Sequence, residues 1–211
     1  MIEEYKYKIP KFEEFRKIYN FRDKTELKFA THIAIVYHEF AYHQMMSFLE
    51  TNNEFFEKNL SENDPAINTY LNKAWSNAYS VYALLRTTIE ATGKINEKLL
   101  EVRDIGNTYK ERIKEIVDIA NNVVKHPMFN NSVNSSACLP ASLTRGGGIG
   151  IQKWVGKIAP SSTMEIDPEK DFHTICGYLE NVAELGLQER DSHHSFSESV
   201  FRWKVWYISV K

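Results

Sequence analysis

The sequence predicts a mainly α-helical fold of the α+β type, an antiparallel helical bundle joined to a small β-sheet or hairpin from the C-terminal third. Three observations predict it. Apolar residues recur at three- and four-residue spacing through long stretches between residues 25 and 127. Aspartate followed by proline, the signature of a capped helix start, occurs at Asp64-Pro65 and again at Asp167-Pro168. Glycine-rich and strictly alternating segments gather beyond residue 128.

The elements follow in order. Tyr5 to Ile9 alternates apolar and basic residues before Pro10, as a short half-exposed strand does, and a first helical piece covers Lys11 to Tyr19. Thr25 to about Glu50 is a long helix with Ala30, Ile33, Ala34, Tyr37, Ala41, Met45 and Phe48 on its core face. Asp64 caps the next helix, whose core face reads Leu71, Ala74, Trp75, Ala78, Val81, Tyr82, Leu85 and Ile89, with Gly93 expected just beyond its end. A third helix is expected from near Ile95, bent at Gly106, through Ile113, Ile116, Ala120 and Val124 to a stop at Pro127.

Asn130 to Arg145 is rich in Asn, Ser and small residues and reads as a long loop. Gly146 to Gly150 then leads into a strand over Ile151 to Ile158, with Thr163 to Ile166 as its hairpin partner. The Asp167-Pro168 start opens a helix with Phe172, Ile175, Cys176, Leu179 and Ala183 inward. Phe201, Trp203, Val205 and Tyr207 alternate with Arg202, Lys204 and Trp206 and predict a final strand, which could pair with Tyr5 to Ile9. The expected organisation is one domain over residues 1–211: a helical core at about 25–127, a loop at about 128–148, and a hairpin, helix and strand over about 149–211.

Composition narrows the function classes. Apolar residues at 43% and aromatics at 13% are those of a packed globular chain, not a disordered one. A net charge of -2 with both signs interspersed gives no signal for DNA and no acidic or basic tail. The only cysteines, Cys138 and Cys176, together with a polar start that lacks a secretory stretch, point to a reducing, cytoplasmic setting without membrane contact.

Few constellations could carry chemistry. At 100° per residue, His32, Glu39 and His43 share a narrow stripe opposite the core face of the long helix, flanked by Ile35, Val36, Tyr42 and Met46. His38-Glu39-Phe40-Ala41-Tyr42-His43 is one residue too long for the His-Glu-x-x-His metal pattern, and His32 and His43 lie too far apart to share one ion. The stripe therefore reads as a partner-facing or partly buried polar stripe. His173-Thr174-Ile175-Cys176 has the spacing of two zinc ligands, which Cys138 and His193-His194 could complete. Cys176 falls on an apolar face where free cysteine packs as a small hydrophobe, so neither metal nor cofactor is expected.

The glycines of Arg145-Gly146-Gly147-Gly148-Ile149-Gly150 could wrap an anion, but the run lacks a phosphate-loop ending and precedes a strand. Arg86 and Glu90, four apart, read as a surface ion pair or an orienting polar contact. Asn122, Lys125 and His126 cluster at a helix end. There the carbonyl field favours cations and raises the affinity of His126 for a proton, which suits an acid or a phosphate contact. The same residues followed by Pro127 also make an ordinary helix stop.

The helix end Asn122-Val123-Val124-Lys125-His126 resembles those of prokaryotic HEPN-like helical bundles, in which an arginine a few residues before a histidine serves metal-independent RNA cleavage. The resemblance covers at most Thr25 to Pro127 and would make His126 the acid/base, with Lys125 and Asn122 holding phosphate. Position 122, where that arginine could stand, is asparagine. The first expectation is accordingly a protein-interaction or self-associating module, binding itself or another protein through the Val36, Glu39 and Tyr42 face or the aromatics near Trp203 and Trp206. RNA-directed chemistry at His126 is the second, and a small-molecule pocket roofed by residues 130–150 the third.

Overall fold

The computed structural model describes residues 9–18, 25–61, 63–100, 107–121, 136–145, 147–155 and 160–208. Its elements run α1 (Pro10–Ile18), α2 (Thr25–Glu57), α3 (Ala66–Leu100), α4 (Asn107–Ile119), β1 (Ser136–Leu143), β2 (Ile149–Val155), β3 (Pro160–Ile166) and α5 (Pro168–Ile208). The fold is mainly helical, with α2 and α3 packed antiparallel as its largest helix pair and one small antiparallel sheet.

Short-range chemistry sets the helix starts. Asp64 Oδ1 accepts the Ala66 N–H at 2.8 Å, and the Asp64 carbonyl takes the Ile67 N–H at 3.0 Å, so Asp64 caps α3. At α5, Asp167 Oδ1 accepts the Lys170 N–H at 2.9 Å in the same way. Helix α1 is capped from a distance. Glu180 of α5 accepts the Lys11 and Phe12 N–H groups at 3.2 and 3.1 Å, while Lys11 Nζ pairs with Glu184 at 2.7 Å. Phe12 and Phe15 are fully buried, which ties α1 into the core.

The core runs along the inner faces of α2, α3 and α5. Ala34, Ala41, Met45 and Phe48 of α2 meet Ala78, Val81, Tyr82 and Leu85 of α3 and Phe172, Ile175, Leu179 and Ala183 of α5. Burying one large apolar side chain of this kind contributes about 1.5–3 kcal/mol, so this seam dominates stability. The predicted inner faces thus carry over, except that Ile33 and Tyr37 of α2, Leu71 and Trp75 of α3, Ile113 of α4 and Cys176 of α5 are only partly buried.

The sheet has strand order β1-β2-β3, antiparallel throughout. Leu143, Ile149 and Ile166 stand side by side across the three strands, and with Ile151 they form its buried face. At the β1–β2 connection the Gly147 N–H bonds the Thr144 carbonyl at 3.1 Å and the Gly148 N–H bonds Thr144 Oγ1 at 3.0 Å. Gly147 has φ +86°, open to glycine at little cost, and a Cβ on Gly148 would lie only 2.7 Å from Thr144 Oγ1. Gly147 and Gly148 serve the turn.

Three expectations are corrected. Helix α3 passes through Gly93 and reaches Leu100, so residues 95–100 do not begin a new helix. The roughly 1 kcal/mol that glycine costs inside a helix is outweighed by the burial of Ile89 and Ile95 on either side. Residues 136–143, expected within a loop, form β1; its Pro140 is tolerated because β1 is an edge strand with an irregular register beside that residue. The expected strand at 201–208 is instead the end of α5, so it cannot pair with Tyr5 to Ile9 as a strand. Val200, Trp203 and Tyr207 also follow helical spacing, and no proline interrupts the chain after Pro168. Residues 1–8 and the helix end at 122–126 lie outside the described residues.

Candidate interaction face

Helix α2 turns one side to the core and the other outward. His32, Glu39 and His43 all lie on the outer side and are exposed, as the helical spacing predicts. The structure adds two residues that sequence reasoning passed over: Phe29 and Phe40 are 66% and 52% exposed on the same side. Together with the partly buried Ile33 and Val36 they form a row at positions 29, 33, 36 and 40. That four-three-four spacing was a readable signal, hidden because the inner face already accounted for a complete core.

Two grooves open where this row meets α3. The first, of about 460 Å³, has Leu27, Phe29, Ala30 and Ile33 of α2 opposite Thr87 and Ala91 of α3. Glu26, Glu90, Lys94 and Glu97 stand around it, giving an apolar floor within a mostly acidic rim. The second, of about 390 Å³, lies further along the same seam between Phe40, His43 and Gln44 of α2 and Tyr79, Ser80, Ala83 and Leu84 of α3. Arg86 lies between the two sets of α3 residues and reaches Glu90 at 2.9 Å, as the spacing predicts. Arg145 sits apart, its guanidinium 5.5 Å from the Phe56 ring centre, and does not join this face.

A second polar cluster lies inside the protein. Asp171 is fully buried in the first turn of α5; its Oδ2 accepts the Tyr82 hydroxyl at 2.6 Å and its Oδ1 the Arg112 Nε–H at 2.7 Å. Arg112 Nη2 lies 2.5 Å from the same Oδ1, and Nη1 pairs with Glu115. Burial pushes the Asp171 carboxyl above the usual carboxylate range, while the Tyr82 hydroxyl and the Arg112 charge hold it down. Burial and the neighbouring carboxylate likewise push the Tyr82 hydroxyl well up. Both carboxylate oxygens are engaged, so the cluster clamps α3, α4 and α5 together. Nothing local in the sequence marked it, since its members are far apart in the chain and an acidic residue in a first helical turn has an ordinary explanation.

His38 and Cys176 form a third contact. His38 is fully buried, its Nε2 is 3.2 Å from the Cys176 sulfur, and its ring stacks on Phe172 at 4.4 Å between centres. Burial, with a smaller effect from the charge of His173, lowers the His38 imidazole to about 3. Burial, with Glu180 adding to it, raises the Cys176 thiol to about 12. Both are neutral at pH 7, so the pair is a packing contact and not an activated thiolate.

Among the described residues, no group of three or more His, Cys, Asp or Glu could hold a metal ion, and no helix is long and apolar enough to cross a membrane. Asn122, Lys125 and His126 lie outside the described residues, as do the side chains of Cys138, His193, His194, Trp203 and Trp206. Comparison with known proteins finds no matching family model, no matching curated protein and no matching solved structure.

Proposed function

We propose that this chain is a protein-interaction module working through the outer α2–α3 face. The observation that carries the reading is the exposure of Phe29 and Phe40, at 66% and 52%, each beside a groove on one seam. Fully burying a phenylalanine contributes about 1.5–3 kcal/mol, and rings this exposed gain half or more of it only when a partner covers them. Aromatic anchors beside apolar hollows with a charged rim are the usual anatomy of a contact patch. His32, Glu39 and His43 supply the polar border, which excludes water and selects a partner by charge.

Photo-crosslinking in cells tests this. With a benzophenone amino acid in place of Gln44 at the second groove, irradiation should give a discrete adduct. Placed at the exposed Lys110 of α4, the same probe should not. The Gln44 adduct should disappear when Phe29→Glu and Phe40→Glu are added. An adduct that survives those substitutions, or none above the Lys110 control, removes the proposal.

A further inference from the structure

We infer that the occupant of this face is a second copy of the same chain, docked by a twofold axis passing close to Val36. The inference rests on the interaction reading and names the partner. Its basis is a pattern that is close to self-complementary. In an antiparallel pairing of two α2 helices about Val36, residues facing one another have numbers summing to about 72. Phe29 then faces His43 of the second copy, His32 faces Phe40, and Ile33 faces Glu39.

The grooves obey the same symmetry. The first lies along residues 26–33 of α2 and the second along 40–44, on either side of Val36 and on the same seam with α3. The axis sets Phe40 of one copy over the groove between Ile33 and Ala91 of the other. It sets Phe29 over the groove beside Tyr79 and Ala83. Each copy thus offers two projecting rings and two hollows, and each ring is matched to a hollow.

Hydrogen-bonding groups follow the same register. His32 comes beside Glu39 of the second copy, and His43 comes toward the acidic rim at Glu26 and Glu90. A parallel pairing would instead set the two α3 helices, and with them the grooves, on opposite sides of the α2 pair. The area also bears on the outcome. Residues 26–44 span about 27 Å of helix, and a face two helices wide is about 20 Å across. The two copies together would cover roughly 1,000 Å², the lower edge of specific interfaces, which fits a reversible, concentration-dependent dimer.

Sedimentation equilibrium over a wide concentration range, with maleimide cross-linking, tests the inference. The expected result is a monomer–dimer equilibrium whose dissociation constant rises about 30-fold or more in Phe40→Glu, the effect of losing a central aromatic anchor. Val36→Cys should cross-link copy to copy through a short bis-maleimide, whereas Lys110→Cys should not, both in a background with Cys138 and Cys176 replaced by serine. Circular dichroism confirms that each variant is folded; because Phe40 and Lys110 are exposed, neither change disturbs the core. A strict monomer at millimolar concentration, a dimer indifferent to Phe40→Glu, or no cross-link at position 36 would each overturn it. A strict monomer whose Gln44 adduct has a mass other than twice the chain would overturn self-association and leave the interaction reading standing. Absence of any adduct would remove both.

Discussion

His38 gives the protein a sensitivity to acid whose size follows from its surroundings. The imidazole is enclosed by the Phe172 ring and the Cys176 sulfur, and it is lowered from 6.5 to about 3. In the unfolded chain the same group takes up a proton near pH 6.5, whereas in the folded chain it does so only near pH 3. The unfolded state therefore binds more protons between these limits. Stability from this group is complete above pH 6.5 and is lost progressively as pH falls toward 3. At pH 5 the unfolded histidine lies about 1.5 units below its midpoint, a loss of roughly 2 kcal/mol at 1.36 kcal/mol per unit. Over the whole interval the loss approaches about 5 kcal/mol, comparable to the entire stability of a small domain.

The perturbation to make is His38→Gln, which removes the titrating group and keeps a polar side chain at the site. Urea midpoints at pH 7 and pH 5, multiplied by the denaturant slope, give the acid-induced loss for each protein. The unsubstituted protein should lose about 2 kcal/mol more than the variant over that interval. The exposed His32 and His43 are present in both, so they cancel in the difference, and His173, whose charge only adds to the larger effect of burial, leaves a smaller remainder. Equal losses in the two proteins would refute the reasoning, whatever the effect of the substitution at pH 7.

Two further predictions address the buried clamp and residues 122–126. Tyr82→Phe removes the 2.6 Å hydrogen bond to Asp171 and should cost about 1.5–3 kcal/mol, and Asp171→Asn, which strips Arg112 of its buried partner, about 3–5 kcal/mol. Because the two residues share one network, the double variant should lose less than the sum, and strict additivity in a denaturation cycle would argue against the clamp. At Asn122–His126, the interaction reading expects the unsubstituted protein and His126→Ala to leave a mixed pool of single-stranded RNA equally intact on a denaturing gel. Cleavage by the first and not the second would instead establish RNA chemistry at that histidine.

How far the sequence could be read depended on the range of each interaction. The caps at Asp64 and Asp167 were legible because donor and acceptor lie within three residues. The outer stripe of His32, Glu39 and His43 was legible because helical periodicity alone places it. The extent of α3 was not, since Gly93 is a stop signal only when no buried residues on both sides carry the helix past it. Strand β1 escaped because Ser136–Leu143 is made mostly of small residues and alternates weakly; it owes its conformation to pairing with β2. The alternation at 201–208 satisfied helical spacing equally well, and the continuation of α5 decided between them. At the candidate face, Phe29 and Phe40 were missed because burial is a tertiary property. A helical wheel cannot say which of two apolar rows will be covered.

The capping of α1 by Glu180 has a consequence for how the chain comes into being. Lys11 leaves the ribosome 169 residues before the carboxylate that receives its N–H group. At about 5–20 residues per second, that interval is on the order of ten to thirty seconds. Throughout it Phe12 and Phe15, both fully enclosed in the finished protein, must wait without the α5 surface that will hold them. Helix α1 is thus seated late, and its aromatic pair stays without that cover until α5 is made.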